Sequence, residues 1–146
     1  EVLTRPLYTE RYRLFLRADH PLAGRTSAGW AEAAAQPLAL LTGNMQNRRI
    51  IDATLRRAGC HVVPEVESTS AIALVAHVRT SGLATVLPEY FAGMLAGAEL
   101  RALPLTDPVV EHSVGLVTRA RDPLPRLVRA LWKAARDYRP PDPGPG

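Results

Sequence analysis

Four apolar residues in a row, Leu38-Ala39-Leu40-Leu41, run straight into the polar turn Thr42-Gly43-Asn44, and from Asn47 onward apolar residues recur at helical spacing. The run is too short for a helix and lacks polar alternation, so it reads as a parallel strand covered on both faces. Such a strand needs helices above and below it, which commits the chain to an α/β architecture. The helix that follows carries Ile51, Leu55 and Ala58 on one face. It ends at Gly59, suited to the left-handed position just past a helix. Thr42, Gly43 and Asn44 have turn and N-cap chemistry. A strand feeding a helix through a polar turn leaves backbone N–H groups free at the strand's C-terminal end. Open α/β sheets bind small anions and polar ligands there.

The rest of the chain alternates in the same way. Tyr12–Ala18 reads as a strand broken by Asp19-His20-Pro21-Leu22-Ala23-Gly24, and Thr26 or Ser27 is expected to cap a short Ala-rich helix anchored by Trp30. Val62–Glu67 is a third strand, with Pro64 pointing to an edge position or a bulge. Ser68-Thr69-Ser70 offers three N-cap candidates for a helix with Ala71, Leu74, Val75 and Val78 on one face and Gly82 at its end. Leu83–Leu87 is a buried strand closed by Pro88, and Glu89–Ala96 a brief helix. Glu99–Leu105 and Val109–Arg119 are strands around the break Thr106-Asp107-Pro108, where Asp107 is a candidate hinge or cap. Leu124–Tyr138 is a last amphipathic helix, and 139–146 a Pro/Gly-rich tail expected to be disordered.

With 146 residues, 47% of them hydrophobic, the chain can bury a globular core. No apolar run reaches transmembrane length and Glu1-Val2-Leu3-Thr4-Arg5 is no signal peptide, so a cytoplasmic protein is expected. Cys60 is the single cysteine, which rules out an intrachain disulfide and fits a buried, inert thiol. The charge of +4 is spread over arginines that cluster only at Arg48-Arg49 and Arg56-Arg57, and aromatics are 5% of the chain. A solvated helix face explains those pairs better than a nucleic-acid stripe. His20, His61, His77 and His112 lack ligand spacing, so neither a metal nor another cofactor is expected. Glu65 and Glu67 share a strand face, where solvation is the commoner explanation than acid–base work. With no nucleophile elbow, Walker loop or dinucleotide fingerprint, the chain does not read as an enzyme; turnover tied to Glu65, Glu67 or His77 would be needed to revive that reading.

Two polar helix entrances remain, Thr42-Gly43-Asn44-Met45-Gln46 and Ser68-Thr69-Ser70. In a parallel sheet, helices that follow neighbouring strands start at the same edge, so both entrances can face one cleft. Their hydroxyls, amides and free N–H groups suit a small carboxylate or other polar molecule.

Several short segments follow one another along the chain: Pro6-Leu7-Tyr8, His20-Pro21-Leu22-Ala23, Leu40-Leu41-Thr42, Arg49-Ile50-Ile51-Asp52 with Ala58-Gly59, and Glu67-Ser68 before Ala71-Ile72 and Leu74-Val75. Val86-Leu87-Pro88-Glu89, Leu103-Pro104-Leu105 and Val114-Gly115-Leu116-Val117 complete the series. Taken together, these segments resemble the effector-binding domain of LysR-type transcriptional regulators. The resemblance implies a two-lobed periplasmic-binding-protein-like (type 2) fold, each lobe a mixed sheet flanked by helices, with an effector between lobes joined by two crossover strands. On that pattern residues 1–105 are the second lobe with its N-terminal crossover strand, and 106–138 the return crossover, last strand and C-terminal helix of the first lobe. The implied effector residues are Thr42, Gly43, Asn44, Met45, Gln46, Ser68 and Thr69, and the helix Arg48–Ala58 would help to pair two domains as a homodimer or tetramer. Most of the first lobe, and the winged helix-turn-helix through which such a regulator touches DNA, are expected to be missing, leaving half of the cleft outside this chain. Ser81-Gly82-Leu83-Ala84 stands where the family often has Gly-x-Gly, so the cleft edge is expected to be shaped differently. A stand-alone solute-binding protein of the same fold is the alternative, which the lack of a signal sequence disfavours.

Overall fold

The apolar runs become the centre of a sheet. The computed structural model describes residues 1–95, 97 and 99–142. In chain order the elements are β1 (Val2–Glu10), β2 (Tyr12–Arg17), β3 (Ala28–Gly29), α1 (Trp30–Ala34), β4 (Ala39–Leu41), α2 (Gln46–Arg57), β5 (Val66–Ser68), α3 (Ala71–Thr80), β6 (Thr85–Pro88), α4 (Tyr90–Leu95), β7 (Leu100–Thr106), β8 (His112–Arg119) and α5 (Arg126–Ala134).

β2 pairs antiparallel with β6 and β7, β3 lies parallel to β7, and β4 lies parallel to β5. The β4–β5 pair joins the rest where Ala39 N–H donates to Ala84 O at 2.9 Å and Ala84 N–H donates to Pro37 O at 2.9 Å. The resulting order is β5-β4-β6-β2-β7-β3, a mixed sheet in which β2 alone runs against the others. The C-terminal ends of β3 to β7 therefore share one edge with the N-terminal end of β2.

Successive residues of the central strands point into opposite cores, as strand geometry requires. Leu14, Leu16, Leu38, Leu40 and Val86 pack with Trp30, Ile51 and Leu55 on the α1–α2 side. Phe15, Ala39, Leu41 and Leu87 pack with Leu74, Val75 and Val78 of α3 on the other. Ser70 caps α3 by accepting the Ala73 N–H at 3.3 Å. Gly59, at φ +73°, follows α2 and completes a Schellman end: its N–H donates to Arg56 O, and Cys60 N–H donates to Leu55 O.

Several boundaries fall elsewhere than the sequence implies: β8 starts at His112 and not at Val109, and α5 spans Arg126–Ala134 and not Leu124–Tyr138. Thr26 and Ser27 do not cap α1. Ala28 and Gly29 pair first with Leu105 and Thr106, so the helix starts at Trp30 and the Glu32 carboxylate accepts the Gly29 N–H at 2.8 Å. The third strand is confined to Val66–Ser68, because Pro64 has no N–H to give and Glu65 N–H makes a single bond to Leu38 O. The predicted end of α4 at Ala96 lies outside the described residues.

β1 and β8 form a separate antiparallel ribbon that leaves the sheet at its shared edge, with a bulge between Pro6 and Tyr8. Gly115 is required in it: a Cβ there would lie 2.5 Å from Arg5 O. α5 lies against this ribbon, with the Arg5 guanidinium 5.1 Å from the Trp132 ring centroid. In the tail, Pro140 and Pro141 flank a small hollow with Tyr8 and Tyr90, while 143–146 lie outside the described residues.

Candidate functional site

The shared edge brings the two predicted entrances together. Leu41 is in register with Ser68, and the Thr42 N–H donates to Ser68 O at 3.1 Å. The first loop then turns back on itself: Met45 N–H donates to Thr42 O at 3.0 Å, and the Thr42 hydroxyl donates to Asn44 Oδ1 at 2.7 Å. Neither Thr42 nor Asn44 caps α2, as their residue types suggested. The N-cap is Met45, no side chain caps the helix, and its first backbone bond runs from Arg49 N–H to Met45 O. The amides of Gln46, Asn47 and Arg48 precede that bond and face the edge without a helical carbonyl. Gly43 lies under open space, with nothing within 4 Å of where a Cβ would be.

The second entrance is more tightly wound. Ser70 N–H donates to Ser68 Oγ at 3.1 Å, which leaves the Ser68 hydroxyl proton available, and Thr69 is exposed. Met45 is half-buried and packs on the core of Leu41, Leu74 and Val75, so part of its side chain is committed to the fold. The expected set is thus one continuous rim, with Gly43, Asn44, Gln46 and Thr69 outermost.

Residues that sequence reasoning left out complete this edge. The Tyr12 hydroxyl donates to Asn47 Oδ1 at 3.2 Å, and burial pushes the Tyr12 phenol upward, so it stays a neutral donor. At the last rung of the ribbon, His112 Nε2 lies 2.9 Å from Glu10 Oε2, and the His112 ring centroid is 5.7 Å from that of Tyr12. Burial raises the Glu10 carboxyl above the usual carboxylate range; the facing His112 opposes the rise and Glu89 adds to it. Trp30 Nε1–H donates to Pro108 O at 2.9 Å across the same corner. None of these partners is close in sequence, and no local signal marks them.

Arg48 also departs from expectation. It is not on a solvated face: it is 7% exposed, with its guanidinium bonded to Asp52, Glu67 and the Leu41 carbonyl. Burial works against its charge, but the two carboxylates outweigh that and hold it protonated. Glu67 is therefore an ion-pair partner, not merely solvated. Among the described residues, no group of three or more His, Cys, Asp or Glu is placed to hold a metal ion. The larger hollows, of about 290 and 480 Å³, lie at the opposite edge beside Arg17, where β2 ends.

A mixed sheet between helical layers, with a ribbon leaving from the edge where its helices begin, is one lobe of a type 2 periplasmic-binding-protein-like fold. A sequence profile of the LysR substrate binding domain matches residues 1–140, and the chain belongs to that family, which serves transcriptional regulators and not enzymes. The reduced regulatory domain of Pseudomonas aeruginosa OxyR is similar at TM-score 0.73 and 27% identity, over 93% of this chain and 66% of that one. The effector-binding domain of QuiR, in complex with shikimate, gives TM-score 0.77 at 15% identity, over 92% of this chain and 63% of that one. The regulatory domain of Synechocystis PCC6803 CcmR, in complex with 2-PG, gives 0.76 at 17%, over 92% and 65%. The chain thus spans just under two thirds of the length of these domains. Among the described residues, no helix is long and apolar enough to cross a membrane.

Proposed function

We propose that this chain is the effector-sensing part of a cytoplasmic LysR-type regulator. A small polar or anionic molecule sits on the rim formed by Thr42, Gly43, Asn44, Met45, Gln46, Ser68 and Thr69. Its binding biases the angle between this lobe and a first lobe, and so controls DNA binding by a winged helix-turn-helix outside this chain. In this reading residues 1–105 are the second lobe, 106–138 return to the first, and α2 takes part in forming a homodimer or tetramer. The observation that carries the proposal is the Thr42 N–H to Ser68 O bond, which sets two helix entrances side by side where the ribbon leaves. That QuiR and CcmR domains were solved with shikimate and 2-PG fits a ligand of this size and polarity.

A thermal-shift screen with shikimate, 2-PG and other small carboxylates tests it, because a ligand that binds only the native state raises Tm. At least one compound is expected to stabilise the wild-type chain, and Thr42→Ala and Ser68→Ala to lose most of that shift while melting normally without ligand. An unchanged shift in both variants would count against the rim.

A further inference from the structure

Arg48 is committed to the rim in a way that its position on a helix does not require. Its Nη1 donates to Leu41 O and to Glu67 Oε1, each at 2.6 Å, and its Nε donates to Asp52 Oδ1 at 2.8 Å. Leu41 and Glu67 are the residues directly before Thr42 and Ser68, on two different strands. Asp52 lies one turn further along the helix that the first loop enters. One side chain thus grips both strands at their last step before the rim, and the helix as well.

Besides the Thr42 N–H to Ser68 O bond, the Thr42 hydroxyl on Asn44 and the Ser70 N–H on Ser68 Oγ, the rim has few ties of its own. The Thr42–Met45 loop keeps one internal backbone bond, from Met45 N–H to Thr42 O, and α2 has no side-chain cap. A guanidinium suits the task, since its planar fork spans several acceptors at fixed angles where an ammonium is a single point. Burial strengthens the bond to the Leu41 carbonyl most, since that contact lies inside the fold. The arrangement is asymmetric: the Arg48 side chain is 9% exposed and Glu67 is 48% exposed. The outer carboxylate can therefore be altered without opening the core.

We infer that Arg48 is a positioning residue that holds the Thr42 and Ser68 entrances in register as one ligand-binding rim. This deepens the effector reading and rests on it, but its test needs no ligand. Hydrogen exchange on the full chain would compare the amides of Thr42, Met45 and Ser70, which bond within the rim, with amides of the β2–β6 ladder. Glu67→Gln keeps shape and removes charge. It should speed the rim amides about tenfold relative to the ladder, the size expected for losing a charge-assisted bond. Arg48→Lys keeps charge and loses the fork, and should speed them at least as much. Equal acceleration of rim and ladder would mean that Arg48 only stabilises the fold, and no change at the rim would mean that the loops hold themselves; either result overturns the inference. Since no effector enters, such a failure leaves the sensor proposal standing, and that proposal fails separately if Thr42→Ala and Ser68→Ala keep the full thermal shift.

Discussion

The sheet and the ribbon are built from the same residue types and end up in opposite conditions. Residues 12–16 of β2, and all of β4 and β6, are buried. Along β8 each half-buried residue is followed by an exposed one, and α5 has no buried residue at all. A central strand between two helical layers has both faces dry, whereas the ribbon has one covered face. Val2 and Val117, 58% and 68% exposed, lie on the ribbon, and Leu127 and Leu131, 85% and 57% exposed, on α5. The lobe is thus stabilised by its own core, and the ribbon is held mainly at its base, through Glu10, Tyr12, Trp30 and His112.

The strongest test of that contrast is Trp30→Ala. Trp30 is fully buried, packs edge-on against Tyr12 with ring centroids 6.0 Å apart, and donates to Pro108 O. Truncation removes a large part of the α1–α2 core together with the link to the chain entering β8, and should cost roughly 3–5 kcal/mol. Chemical denaturation should show the unfolding free energy falling by that amount, with a correspondingly lower transition midpoint. A loss below about 1 kcal/mol would mean that the core is not where the stability lies.

The lobe was largely legible in the sequence for the reason that makes it stable. Leu38–Leu41 is an unbroken apolar run, Leu83–Leu87 is apolar except for Thr85, and Ser70 and Gly59 sit where a cap and a left-handed turn are needed. Those signals span a few residues, so they survive reading in one dimension. The rim's two halves were legible as well, since neighbouring strands in a sheet bring their following turns to one edge. What stayed hidden was long-range. Arg48 looks like any helix-surface arginine until a Glu 19 positions away and a strand-end carbonyl are placed beside it. Glu10 and His112, or Trp30 and Pro108, meet only after the whole lobe has folded between them.

Where the two regions join, pH offers a smaller handle. Because burial raises the Glu10 carboxyl, the folded chain holds that proton more firmly than the unfolded one. Between the ordinary carboxylate range and the raised value, this group's contribution to stability therefore falls as pH increases. Glu10→Gln cannot ionise and still accepts a hydrogen bond from His112. It is expected to melt higher than wild type near pH ~7.5, with the gap closing as pH drops through the carboxylate range. Equal melting temperatures throughout would show that His112 fully compensates the buried charge.

The least effect is expected where the contrast is sharpest, on α5. Leu127 and Leu131 are exposed, while Val128 and Trp132 are half-buried and Trp132 lies under Arg5 of the ribbon. In this chain Leu127→Ala removes a side chain that is already in water, so denaturation should move by no more than about 0.5 kcal/mol, and by little more for Leu131→Ala. If α5 packs beneath a first lobe in the two-lobed domain, as proposed, the same truncations there delete buried side chains and should each cost roughly 2–5 kcal/mol. The pair of measurements separates two causes that one alone would confuse. Small losses in both contexts would mean that α5 faces solvent in the intact regulator and that the ribbon is stable with its outer face bare. A large loss already in this chain would mean that α5 packs on the lobe in solution, and the division between a self-sufficient sheet and an externally covered ribbon would not hold.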